Sequence, residues 1–218
     1  MKFDILSSIP KGFGEYFNQS IIGRAQKQGI IDIRIHDIRD WTSDKHFKID
    51  DSPFGGGPGM VMKIQPIYDA VEFLKSKIKN KKSKFNARVV LFSTRGKKFT
   101  QKEAKRLSKY KNLILICGRY EGVDERVAEY IADEEISVGD FVLSGGEIPA
   151  MIVVDAVSRF IPGVLGKQES LEEIKGSYPT YTRPEVFYPN KKSKGWKTPK
   201  ILMSGNHKEI EKWRIKNS

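Results

Sequence analysis

The chain has 218 residues with 39 Lys and Arg against 27 Asp and Glu, which leaves a formal charge of +12 and a pI near 9.6. That length suits one domain, or one domain with a small appendage, and an apolar share of 39% with 12 Phe, 8 Tyr and 3 Trp excludes a disordered chain. A single cysteine excludes an internal disulfide framework and a multi-cysteine metal site, and no apolar stretch nears the roughly 20 residues of a spanning helix.

Met1–Ile9 carries one lysine and a short alternating run, which suits a strand better than a secretory leader, so a cytoplasmic protein is expected. Lys2–Leu6 and Ile31–Ile35 alternate with period two, the second placing Ile31, Ile33 and Ile35 on one face. Gly14–Gln28 between them has room for a helix. Ile67, Val71, Leu74 and Ile78 fall at helical spacing, which predicts an amphipathic helix over Gln65–Ile78. Ala87–Phe92 reads as a short strand, and Thr100 with Glu103 as a capping box opening a helix to about Tyr110. Asn112–Cys117 (NLILIC) has the continuous apolar character of a strand buried on both faces. Glu135–Val138 is a further strand and Ile148–Phe160 a mostly apolar helix. Strands separated by helix-length segments predict an α/β domain with a mainly parallel sheet. From Pro162 the Gly- and Pro-rich texture reads as a linker, and Asn206 followed by Glu209 starts a last short helix.

Charge is uneven along the chain. Residues 75–111 hold 15 basic groups against Glu103 alone, residues 112–190 hold 6 against 14, and residues 191–218 hold 9 against 2. Two basic blocks bracketing an acidic one suit a polyanion gripped at two edges. Lysines such as Lys75, Lys77, Lys79, Lys81, Lys82 and Lys84 equally suit a solvated surface, so charge alone does not establish nucleic acid binding.

Four glycine-containing loops interrupt the framework: Pro53–Met60, Ser93–Lys97, Cys117–Gly122 and Val138–Glu147. Loops after parallel strands are the usual ligand position in α/β sheets, and glycine lets a ligand approach the backbone. Gly55–Gly59 lacks the GK[ST] ending of a phosphate-binding loop, and no GxGxxG opens a helix after a strand. An adenosine derivative without a polyphosphate is therefore the expected ligand class. A polyphosphate-using enzyme ranks last.

The segments DSPFGGGPGMVMKIQPI, CGRYEGVDERV, SVGDFVLSGGEIPA, DAVSRFIPGVLG, YTRPEV and LMSGNHKEIEKWR resemble, in order and approximate spacing, the bacterial tRNA (guanine-N1-)-methyltransferase (TrmD) family of the SPOUT superfamily. The resemblance implies an α/β fold whose mainly parallel sheet carries a deep C-terminal trefoil knot, plus a small helical C-terminal domain. Residues 1–163 would form the knotted domain, 164–190 a linker carrying an active-site loop, and 191–218 the tRNA-binding domain. It also implies S-adenosylmethionine as methyl donor, tRNA as substrate, and a homodimer with each active site built across the interface. The cofactor pocket would comprise Leu91, Ser93, Thr94, Gly118, Tyr120, Glu121, Val138, Gly139, Phe141, Leu143, Gly145, Gly146 and Pro149. Thr94 stands where the family often has proline, and Phe141 where it often has tyrosine; walls built mainly of backbone tolerate both changes.

Methylating guanine N1 requires removing its proton while a methyl is held in line, work for a carboxylate base and an arginine near O6. The resemblance puts the arginine at Arg159. The simpler role for Arg159 is an i,i+4 ion pair with Asp155. Counting from Arg159 puts Ile174 where the family has its aspartate, and no Asp follows Asp155. Glu173 is then the candidate base, with Glu172 and Glu169 as alternatives. Gly59, Arg183, His207 and Arg214 are the expected RNA-side residues, and Trp213 is expected to anchor the small domain's core. The family depends on a divalent cation; His36, His46 and His207 are scattered, so Mg²⁺ would be associated with RNA or substrate and no metal site is expected. Two other readings stay open, a SPOUT enzyme acting at another RNA position and a non-catalytic RNA-binding knot protein.

Overall fold

The computed structural model describes residues 1–78, 86–166, 177–190 and 193–218. It divides into two compact units, Met1–Gly166 and Lys167–Ser218. No helix among the described residues is long and apolar enough to cross a membrane. Lys79, Lys81, Lys82 and Lys84 lie outside the described residues.

The first unit is built on five parallel strands: β1 (Lys2–Ser7), β2 (Asp32–Asp37), β5 (Ala87–Lys98), β6 (Asn112–Ile116) and β7 (Glu134–Ser137), in the order β2-β1-β6-β5-β7. Alternation within these strands feeds two cores. Phe3, Ile5, Val90, Phe92, Leu113 and Leu115 point to one face, where they meet α1 (Ser20–Lys27), α3 (Gln101–Leu107) and α5 (Glu147–Ser158). Leu6, Val89, Leu91, Ile114 and Ile116 point to the other, against α2 (Ile64–Ile78) and α4 (Arg126–Tyr130). Helices on both faces are what a parallel sheet requires, because its crossovers carry them there. Leu113–Ile116 are fully buried, as the unbroken apolar run of β6 predicts. A two-stranded ladder, β3 (Asp50–Asp51) with β4 (Val61–Met62), brackets the 52–60 loop; neither strand is legible in the sequence.

Several expectations are corrected. The segment before α1 is taken up by two 3₁₀ turns, Pro10–Phe13 and Tyr16–Asn18, whose Phe13 and Phe17 stack at 5.7 Å in the core, so the helix expected over Gly14–Gln28 starts only at Ser20. Strand β5 runs on through Ser93–Lys97, expected as a loop, with a register break at which Ile136 pairs with both Phe92 and Lys97. Thr100 is the N-cap of α3 but makes no side-chain cap bond, so the capping box does not form.

Glu103 has other partners. It is 5% exposed, and its carboxylate accepts from Lys97 Nζ and Arg106 Nε, each at 2.7 Å, while Arg106 and Arg88 both reach Glu134 on β7. The Lys97 hydrogen bond, then that of Arg106, hold the Glu103 carboxyl below its ordinary value of 4.5 against the opposing effect of burial. A depressed folded-state value means stability present above pH 4.5 and lost as pH falls through the folded value. Glu103→Gln should lower unfolding stability by about 1 kcal/mol at neutral pH, because the buried carboxylate loses its charge opposite the half-buried Arg106, while the exposed Lys97 can turn to water instead. Urea unfolding at pH 7 and again in acid should show the gap between wild type and variant narrowing below the carboxylate range.

In the second unit, β8 (Val186–Phe187) pairs antiparallel with β9 (Trp196–Lys197), so a hairpin joins residues on both sides of the boundary expected at 190. Its last helix, α6 (His207–Lys216), begins where Asn206 and Glu209 place it, with the Asn206 side chain accepting from the Glu209 N–H at 3.3 Å.

Candidate functional site

Parallel strands end together, so the segments that follow β5, β6 and β7 are delivered to one edge of the sheet. There they enclose a cleft of about 410 Å³. All thirteen residues expected at a cofactor pocket line it: Leu91, Ser93 and Thr94 from β5, Gly118, Tyr120 and Glu121 after β6, Val138, Gly139, Phe141, Leu143, Gly145 and Gly146 after β7, and Pro149 from the first turn of α5.

Glycine makes this approach possible. The Gly146 N–H donates to the Gly118 carbonyl at 2.9 Å, and a Cβ built on Gly146 would stand 2.6 Å from Cys117 Cα. The two loops are therefore in contact backbone to backbone. Gly59, expected on the RNA side, has φ +80 and packs against a lining residue of the cleft, since a Cβ there would lie 2.5 Å from Cγ of Glu121. The 52–60 loop is held in this position because the Glu121 N–H donates to the Met60 carbonyl at 3.1 Å and the Met62 N–H to the Gly122 carbonyl at 3.0 Å. Tyr120, at the same wall, adopts φ +59, a conformation that costs energy for any residue with a side chain and clusters at functional sites.

The cleft is anionic once its ion pairs are set aside. Arg95 pairs with Glu125 across its wall, and Arg119 pairs at 3.3 Å with Glu147, which is 4% exposed. This leaves Glu121 and Glu135 among the lining residues as carboxylates with no ion pair among the described residues. One Glu135 oxygen, Oε2, is buried without a hydrogen-bond partner. Such a lining favours a cationic ligand. Cys117 beneath the cleft is fully buried, and burial, then the Glu147 charge, push its thiol well up, so it is no nucleophile. Glu147, Arg119 and Ser7 were missed in the sequence because their importance comes from convergence: Ser7 Oγ donates at 2.7 Å to Glu147, 140 residues away. No group of three His, Cys, Asp or Glu among the described residues could hold a metal ion.

Arg159 is not at the cleft. It caps the C-terminal end of α5, while Gly146 and Pro149 of the cleft are at the N-terminal end. The thirteen steps from Gly146 to Arg159 at about 1.5 Å each put the two ends about 20 Å apart. Arg159 instead lines a second cavity of about 240 Å³ with Tyr16, Gln19, Ser20, Ile21, Ile22 and Asp155. The ion pair with Asp155 allowed by their spacing does not form; the Asp155 carboxylate accepts from the Tyr16 hydroxyl at 2.7 Å. Glu169, Glu172 and Glu173 lie outside the described residues.

In the second unit Arg183 and His207 are exposed. Arg214 is engaged internally, with its guanidinium 4.9 Å from the Tyr178 ring centroid and 3.4 Å from a Glu211 oxygen. Trp213 packs edge-on to Tyr181 at 6.3 Å, in keeping with an anchor of this unit.

The whole chain, residues 1–218, matches the sequence profile of the family described as tRNA (Guanine-1)-methyltransferase TrmD. It is 50% identical over 221 residues to the tRNA (guanine-N(1)-)-methyltransferase of Geobacter sp. (strain M21), an overlap of 99% of this chain and 84% of that protein. Against the protein of the same name from Ruminiclostridium cellulolyticum it is 48% identical over 223 residues, covering 100% and 91% of the two chains. Against that of Clostridioides difficile it is 46% identical over 223 residues, covering 100% and 92%.

Proposed function

The chain belongs to the tRNA (guanine-1)-methyltransferase family, and we propose that its anionic cleft holds S-adenosylmethionine and that its target is the guanosine 3′-adjacent to the anticodon. It is an enzyme that methylates guanine N1 in tRNA. The observation that carries the cofactor assignment is the convergence of thirteen positions on one cleft whose unpaired charges are carboxylates. Bound there, S-adenosylmethionine supplies an electrophilic methyl on a sulfonium. Glu121 and Glu135 would offer negative charge to a cationic ligand, and the lack of side chains at Gly118 and Gly145 would let its base approach the backbone there. A deep trefoil knot through these loops belongs to the same reading, supported by the backbone contact between Gly118 and Gly146.

Arg159 stabilises the charge that grows on the guanine oxygen as N1 loses its proton, and Glu173, with Glu172 and Glu169 as alternatives, accepts that proton. The separation along α5 supports a homodimer in which Arg159 of one chain serves the cleft of the other. The half-exposed Ile148 and Ile152 support it too, because they share the helix face of Asp155 and Arg159 and would be covered by a second copy. Arg183, His207 and the lysines of the second unit meet tRNA phosphates. The reading assigns the protein to the cytoplasm with its substrate, and Mg²⁺ to the RNA or substrate.

The test is methyl incorporation into a tRNA transcript, compared with a transcript whose target guanosine is replaced. Loss of incorporation with the replaced base supports the reading. Equal incorporation would move the target elsewhere, and S-adenosylmethionine binding without incorporation would favour an RNA-binding protein. Single-turnover rates of Glu173→Gln, Glu172→Gln and Glu169→Gln should identify the base by a drop of about 10²-fold or more in one of them; three wild-type rates would rule out a base from this segment.

A further inference from the structure

Asp155 and Arg159 stand one helical turn apart in a favourable order for an ion pair, with the acid nearer the N-terminus. The helix continues through Arg159, whose N–H donates to the Asp155 carbonyl at 3.3 Å and whose φ and ψ are −60 and −25, so both side chains share a face. The pair is nevertheless not made. Tyr16, carried on the 3₁₀ turn Tyr16–Asn18, donates its hydroxyl to Asp155 Oδ2 at 2.7 Å. Arg159 is left with no ion pair or side-chain hydrogen bond among the described residues while lining the same cavity.

We propose that Tyr16 is a positioning residue for methyl transfer: its hydroxyl holds Asp155 Oδ2 and so keeps the carboxylate in an orientation beyond ion-pair distance of Arg159, leaving the guanidinium free for the guanine oxygen. The inference rests on the role given to Arg159 above. The Asp155 hydrogen bond, then burial and the carboxylate charge, push the Tyr16 phenol up to about 12, so the donor keeps its proton throughout the neutral range. Nothing in the glycine loops or the cleft bears on this device. It is built from two elements, the turn before α1 and the end of α5, that sequence separation hides from each other.

The experiment is a cycle of single-turnover rates at saturating S-adenosylmethionine and tRNA transcript. Tyr16→Phe keeps the ring and removes the donor, so Asp155 turns to Arg159 and the rate falls about threefold to fivefold, the range a half-exposed ion pair can shift. In an Asp155→Asn background no charged competitor exists, and the same Tyr16→Phe change should leave the rate within about 1.5-fold of the Asp155→Asn protein. S-adenosylmethionine affinity should stay constant across the cycle. An unchanged rate in Tyr16→Phe would overturn the inference. Equal slowing in both backgrounds would overturn it too, because a hydroxyl that merely braces α5 is insensitive to the charge at 155. Arg159→Ala separates this from failure of the site itself: a wild-type rate there removes Arg159 from catalysis, whereas a dead Arg159→Ala beside an unaffected Tyr16→Phe overturns only the role of Tyr16.

Discussion

Arg159→Ala is expected to lower the single-turnover methyl-transfer rate by about 10²–10³-fold, the usual consequence of removing one charge-stabilising donor from a transition state. Binding of S-adenosylmethionine should be unchanged, because Arg159 is assigned to the guanine oxygen and not to the methyl donor. Unfolding stability should change little, since the guanidinium has no ion pair among the described residues to lose. The combination of a collapsed rate, intact cofactor affinity and an intact fold is what distinguishes a catalytic arginine from a structural one. A rate within a few-fold of wild type would remove Arg159 from the mechanism.

The second large effect is expected at Gly146. Its φ of −81 suits any residue, so the requirement is one of space. An added methyl would meet backbone, 2.6 Å from Cys117 Cα and 3.0 Å from the Gly118 nitrogen, and backbone cannot rotate aside as a side chain can. Gly146→Ala should therefore part the loops after β6 and β7, lower S-adenosylmethionine affinity at least 100-fold, and cost about 1–3 kcal/mol of stability as an overpacking defect. Calorimetric titration and urea unfolding measure the two. Gly166→Ala serves as the control, since a methyl there meets nothing within 4 Å. Affinity near wild type in Gly146→Ala would show that the loops can separate without harm to the site.

The two variants combine into a test of the shared active site. A mixed dimer with Arg159→Ala in one chain and Gly146→Ala in the other keeps one intact cleft and one intact arginine. If they act on each other across the interface, about half of the wild-type activity returns; if each chain is self-contained, neither half works.

Much of this protein is written locally. The unbroken apolar run of β6 and the helical spacing of Ile67, Val71 and Leu74 identify elements that the fold contains, because burial on two faces or one imposes its period on the chain. Asn206 starts α6 for an equally local reason, a side chain satisfying a nearby N–H. The ordered glycine motifs identify the family, since each glycine answers to backbone geometry that few other residues tolerate. Thr100 with Glu103 shows where local reasoning stops. The capping box is a valid pattern, yet Lys97 and Arg106 offer Glu103 charged partners that a neutral N–H does not match.

Where the charges end up is decided in three dimensions. Sequence alone shows an acidic middle segment, but which of its carboxylates are spent follows from the folded chain, where Arg95 and Arg119 take Glu125 and Glu147 and leave Glu121 and Glu135 to the cleft. Spacing likewise allows Asp155 to hold Arg159, and only the arrival of Tyr16 from 139 residues away decides otherwise. Sequence by itself thus determined most strands and helices of the sheet domain and the family, and the resemblance to that family named thirteen positions that line the cleft, because periodicity and glycine motifs are local properties of the chain. Tertiary structure alone decided which charged groups are paired and which are free, because a pair depends on distance in space, and distance along the chain does not supply it.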